Sequence, residues 1–128
     1  MLFLNISTVY AKSSKSVQIL DIEKSEIIKT VPSSSLVQFE AEKFLKEIDS
    51  VVKKFKPIPE SGYLIKIPLE PSFHLENKWV NTLTDEIIVI IPDDENPYLL
   101  TFDDENKSWF FTIKPSISEL LNALDFSP

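Results

Sequence analysis

Residues 86–113 decide the fold. They read Glu86-Ile87-Ile88-Val89-Ile90-Ile91, then Pro92-Asp93-Asp94-Glu95-Asn96-Pro97, Tyr98-Leu99-Leu100-Thr101-Phe102, Asp103-Asp104-Glu105-Asn106-Lys107 and Ser108-Trp109-Phe110-Phe111-Thr112-Ile113. Three runs rich in β-branched and aromatic residues are separated by two short polar stretches, which is the pattern of strands joined by turns. Connections this short allow only antiparallel neighbours, so the stretch predicts a β-meander. The tetrapeptide Asp-Asp-Glu-Asn occurs in both turns, at 93–96 and 103–106. Ile87–Ile91 is apolar without alternation, as expected of a central strand covered on both faces. In the last strand, Trp109 and Phe111 face one side and Phe110 the other.

Working outward toward the C-terminus, Pro115-Ser116 precedes Ile117, Leu120, Leu121 and Leu124 at helical spacing. Ser116 and Glu119 suit a capping box, opening a short helix that ends near Asp125. Toward the N-terminus, Tyr63, Ile65, Ile67 and Leu69 alternate with Leu64, Lys66 and Pro68. That is a strand, and Pro68 assigns it to a sheet edge. Residues 71–85 have no clean period and read as a structured loop with a short strand near Lys78–Leu83.

Apolar residues at Val37, Ala41, Phe44, Ile48, Val51 or Val52 and Phe55 recur at intervals of three and four. The spacing predicts a long helix over 35–56, about 33 Å from end to end. Ser35 with Gln38 would cap it, and Pro57 and Pro59 would stop it. Val17–Ile22 and Ile27–Val31 read as two strands of a hairpin around Glu23-Lys24-Ser25-Glu26. The expected fold class is α+β: a single domain over 12–128, built on a mostly antiparallel twisted sheet of five to six strands. One long helix packs on a face and a short helix closes the chain.

The 128 residues suffice for one such domain and its core. There is no Cys or Arg, one Gly (Gly62) and one His (His74). Disulfides, thiolate metal sites, Cys nucleophiles and glycine-rich phosphate cradles are therefore excluded. Formal charge is −7. It is carried by residues 65–128, where 4 Lys face 12 acids, while residues 1–64 hold 9 Lys and 8 acids. A field of that sign repels nucleic acid and anionic membrane surfaces and attracts a partner with a basic surface. The bland alternative is a solvated face that keeps the protein soluble.

No apolar stretch reaches the roughly 20 residues needed to cross a bilayer as a helix. Residues 1–11 have two readings. Leu2-Phe3-Leu4-Asn5-Ile6 followed by Val9-Tyr10-Ala11 resembles the remnant of a secretion signal, with small residues before a cleavage point. That reading makes the protein extracytoplasmic or secreted, as in bacterial exported proteins without disulfides. The alternative is an N-terminal strand with Leu2, Leu4 and Ile6 on one face, in a cytoplasmic protein.

Candidate chemistry is sparse. The twin acidic turns suggest calcium, but a five-residue strand between them holds the two about 17 Å apart. No metal or cofactor is expected. His74 is flanked by Phe73 and Leu75 and has no Gly-x-Ser-x-Gly elbow to serve, so a His-dependent hydrolase ranks third among the readings. Glu70 and Glu76 as a glycosidase pair ranks lower, because acids abound in this composition.

The aromatic set of Phe73, Trp79, Tyr98, Phe102, Trp109, Phe110 and Phe111 exceeds what one helix-covered face would take. If the long helix covers only one face, some of these rings must lie exposed or beneath residues 71–85; the alternative is that they fill a core that has almost no Met and few Ala. Exposed rings of this kind anchor interfaces. The leading expectation is a non-enzymatic acidic domain that binds a protein or peptide partner, such as an inhibitor, an immunity-type protein or an envelope accessory protein. Its candidate binding residues are Phe73, His74, Glu76, Trp79, Tyr98 and Trp109. The second is a small-ligand or peptide binder with a pocket under residues 71–85.

Overall fold

A computed structural model describes residues 16–54 and 56–128; both readings of residues 1–11 fall outside them. Among the described residues, seven strands and two helices follow one another: β1 Ser16–Asp21, β2 Glu26–Pro32, α1 Ser35–Lys46, β3 Ile48–Val51, β4 Gly62–Glu76, β5 Asn81–Pro92, β6 Tyr98–Phe102, β7 Ser108–Ile113 and α2 Ser118–Leu124. The strands form one antiparallel sheet in the order β2-β1-β4-β5-β6-β7-β3. The α+β class, the meander and the β1–β2 hairpin are as expected. The sheet has seven strands, not five to six.

The extra strand comes from the expected long helix, which ends at Lys46. The backbone N–H of Glu47 closes the last turn onto the carbonyls of Lys43 and Phe44, at 3.1 and 3.2 Å. Ile48–Val51 then turns into β3 along the outer edge of β7. The competing force is visible in the bonds that edge offers. Lys114 N–H donates to Glu47 (3.1 Å), Ser50 N–H donates to the Thr112 hydroxyl (3.1 Å) and Val52 N–H donates to Phe110 (2.8 Å). Ile48-Asp49-Ser50-Val51, β-branched at its ends with Asp and Ser between, is a poor helix former, so an open strand edge wins it. Helical spacing in 48–52 coincides with residues that pack equally well as strand.

The N-cap also differs. Ser34, not Ser35, accepts the capping bond, from Val37 N–H at 3.2 Å. The Gln38 side chain is used elsewhere, as described below. In α2 no capping box forms; the Ser116 hydroxyl accepts instead from Ser118 N–H.

β4 lies inside the sheet, between β1 and β5, so Pro68 does not mark an edge strand. The ladder with β1 ends at Lys66, and Pro68 sits two residues past it. Residues 71–85 are not a loop. β4 and β5 continue together as a hairpin arm, pairing Phe73 with Thr84 through to Glu76 with Asn81. Between Pro68 and Phe73 the register shifts, so that Leu69–Ser72 oppose Asp85 alone. At the tip, Asn77 N–H donates to Val80, and the Asn77 side-chain oxygen accepts from Trp79 and Val80 N–H at 2.8 and 3.0 Å.

The strands distribute their side chains to two cores. Ile19, Ile65, Ile67, Ile87, Val89, Leu99 and Phe111 meet Val37, Ala41, Phe44 and Leu45 of α1 and Leu120 and Leu124 of α2. On the opposite face, Leu20, Leu64, Ile88, Ile90, Leu100 and Phe110 gather with Ile58 from the segment leading into β4. Ile87–Ile91 supplies both clusters in alternation, which is why it carries no polar residue. Gly62 opens β4 at φ +114°, and a Cβ there would lie 2.2 Å from the Ile91 carbonyl oxygen.

Candidate functional site

The arm determines where the six candidate binding residues lie. Along it, Phe73 and Leu75 turn inward while His74 and Glu76 point outward and are exposed. Phe73, Trp79 and Trp109 are half-buried and pack onto the helix-side core. Trp79 lies 5.9 Å from Phe111, and Trp109 stacks on the same ring at 6.0 Å with an interplanar angle of 7°. Lys78 and Lys107 cover Trp79 and Trp109, 4.9 and 5.1 Å from the ring centres. Trp79, at the tip of the arm, and Trp109, on β7, thus both pack on Phe111, which is fully buried.

Tyr98 belongs to the opposite face and is 4% exposed. Its hydroxyl donates to the Pro57 carbonyl, and Lys54 lies over its ring. Burial, and then the nearby Glu95 charge, pushes its hydroxyl up to about 12. Trp79 and Trp109 thus share Phe111, Phe73 packs on the same core, His74 and Glu76 are exposed on the arm, and Tyr98 lies on the opposite face.

His74 Nε2 lies 2.6 Å from Asn81 Oδ1, so the imidazole bridges the two strands of the arm. Among the described residues no three His, Asp or Glu side chains converge as metal ligands do. The two acidic turns join β5 to β6 and β6 to β7, at opposite ends of β6. Each is held differently. Glu95 pairs with Lys54 and Asp93 accepts from Ser61 in the first. In the second, the Asp103 carboxylate accepts from Glu105 N–H (2.9 Å), Lys107 N–H (2.9 Å) and Trp109 Nε1 (3.1 Å). The Trp109 bond first, then that of Lys107, holds the Asp103 carboxyl below its ordinary range.

The root of the arm and this second turn enclose a groove of about 530 Å³. Its walls include Asp85 and Glu86 from β5, Asp103 and Asp104 from the turn, and the apolar side chains of Leu83 and Phe102. Three bonds fix its shape. Thr82 accepts from Asp104 N–H at 2.9 Å, the Thr84 and Thr101 hydroxyls lie 2.5 Å apart, and Thr101 donates to the Glu86 carbonyl at 2.8 Å. Asp85 accepts from Ser72, and Glu86 lies 3.7 Å from Lys66. Four carboxylates in a concave site strengthen the local negative field. Leu83, 60% exposed, stands among them.

None of the six candidate binding residues lines this groove, although Phe102 belongs to the aromatic set and Asp103 and Asp104 to the second acidic turn. In Thr82-Leu83-Thr84 the polar residues are buried and the apolar one is exposed, an inverted alternation that only the folded chain displays. A second hollow of about 290 Å³ lies between the end of α1 and the arm, lined by Leu45, Ile48, Phe73 and Leu75 with His74 and Glu76. It includes three of the six candidate residues.

No helix among the described residues is long and apolar enough to cross a membrane. Comparison with protein-family models, with curated proteins and with solved structures gave no match in any of the three.

Proposed function

We propose that this protein is a non-enzymatic acidic binding domain whose partner is a protein or peptide with a basic surface, in the manner of an inhibitor, an immunity-type protein or an envelope accessory protein. The acidic groove carries this reading. A concave, bonded framework bearing Asp85, Glu86, Asp103 and Asp104 favours cationic side chains and disfavours phosphate. The groove adds a contact surface to the six candidate binding residues, none of which lines it. The test is calorimetric titration with a Ser/Gly peptide bearing four lysines, at about 20 and 300 mM salt, where screening separates the two conditions. Binding at low salt that falls at high salt and weakens in Asp85→Asn/Asp104→Asn supports the reading. No heat at low salt overturns it.

A second reading rests on the hollow beside α1, whose four apolar walls and exposed His74 suit a small ligand. A ligand seated there would alter Trp79 emission, and His74→Ala would reduce that change. A screen of small apolar acids and amines that leaves emission constant would remove it.

The extracytoplasmic location is proposed from residues 1–11 alone. N-terminal sequencing of protein recovered from its host tests it: a start at Lys12 supports export, and an intact Met1 supports the cytoplasmic alternative.

A further inference from the structure

Resting on the reading of the groove as a site for a basic partner, we infer that its occupant is a short peptide segment in which an aliphatic or aromatic residue sits beside lysine or arginine. The inference comes from Leu83, not from the acids. A leucine 60% exposed in the middle of a strand is ordinarily explained by strand phase. Here the phase is locked by its two neighbours. Thr82 holds the Asp104 N–H and Thr84 bonds the Thr101 hydroxyl, and both threonines are buried. Sliding Leu83 inward would break both bonds, so the fold fixes this side chain toward the groove.

Asp85 lies two residues further along the same exposed side of β5, about 7 Å away at strand spacing. Asp104 stands across the groove, and Phe102 supplies a second apolar contact. An apolar side chain alone would gain Leu83 and Phe102 but strip water from carboxylates without compensation. A cation alone would gain the charges and leave Leu83 wet. Adjacent apolar and basic residues satisfy both walls at once, the arrangement of an apolar anchor with a charged rim.

Three dye-labelled Ser/Gly peptides test this by fluorescence polarisation at low salt: one with two lysines, one with two leucines, and one with a leucine flanked by two lysines. The mixed peptide is expected to bind at least about tenfold more tightly than the lysine peptide. Leu83→Ser should collapse that ratio toward one. Phe39→Ser, at an exposed phenylalanine on the outer face of α1, should leave it intact. Equal affinity of the mixed and lysine peptides, or a ratio indifferent to Leu83→Ser, overturns the inference while the acidic-groove reading stands. If neither lysine-bearing peptide binds, both fall.

Discussion

The side-chain amide of Gln38 completes the pairing of β4 where its neighbouring strand has run out. It donates to the Pro68 carbonyl at 2.7 Å and accepts from Glu70 N–H at 3.0 Å, with a further bond to Ser33. One helical side chain thus presents a donor and an acceptor to β4 as another strand would. Proline has no N–H to offer a ladder, which suits this position just past the end of β1. The contact ties α1 to the strand from which the arm springs, and so to one wall of the groove.

Gln38→Ala should lower stability by about 1–2 kcal/mol, chiefly the cost of its two bonds to β4, one of which leaves a part-buried carbonyl unpaired. Gln38→Glu is the sharper variant. A carboxylate accepts from Glu70 N–H but has nothing to donate to Pro68. Urea midpoints should therefore fall at neutral pH and partly recover near pH 4, where the introduced acid protonates. A neutral-pH midpoint unchanged in Gln38→Glu would show that the amide is not holding the strand.

Gly62 tolerates no side chain. Its positive φ and the 2.2 Å approach of a Cβ to Ile91 backbone act together. Backbone strain alone contributes about 1–3 kcal/mol, so Gly62→Ala should cost at least that much in thermal or urea unfolding. Stability equal to wild type would contradict the tight junction between β4 and β5.

Tyr98 makes alkaline stability measurable. Its hydroxyl is raised from 10.0 to about 12 in the folded chain. The neutral form is favoured by folding, so the contribution is complete below pH 10 and is lost as pH rises toward 12. Linkage over that interval is worth about 2–3 kcal/mol. Tyr98→Phe should be less stable at pH 8 by about 1 kcal/mol, the loss of one hydrogen bond. It should also show a flatter decline between pH 10 and 12, read from urea midpoints across that range. Parallel declines for the two proteins would refute the assignment.

Asp103 makes the opposite prediction in acid. Its carboxyl is lowered, chiefly by Trp109 Nε1. Its stabilisation of the turn is present above the ordinary carboxylate range and lost as pH falls below it. Trp109 emission should shift to the red on acidification below about pH 3.8, the ordinary value, while far-ultraviolet dichroism holds. Asp103→Asn should bring the shifted emission up to neutral pH. Wild-type emission in that variant at pH 7 would mean the indole is held by its packing on Phe111 alone.

Much of this fold was legible in the chain. The meander followed from Ile87–Ile113 because alternating strands and short polar turns leave no other arrangement. The helix was found but overextended, since Ile48, Val51 and Val52 satisfy a helical period as well as a strand; the free edge of β7, which decided the matter, is a property of the assembled sheet. The arm was missed because Pro71 and the unequal strands at Leu69–Ser72 break the period of two. For the site, residue type pointed to rings. Trp79 and Trp109 pack on Phe111, and Leu83 gives no signal in the chain, because one apolar residue between threonines carries no meaning until Thr82 and Thr84 are seen bonded inward.

The most direct test of the central claim is a nitrogen–proton correlation spectrum of the isotopically labelled protein, titrated with the leucine–lysine peptide. Amide shifts should move in a set confined to residues 82–86 and 102–106, saturate with a single affinity, and be reversed by added salt. Shifts centred on the outer face of α1 or on the hollow near His74, with the groove amides still, would contradict the account.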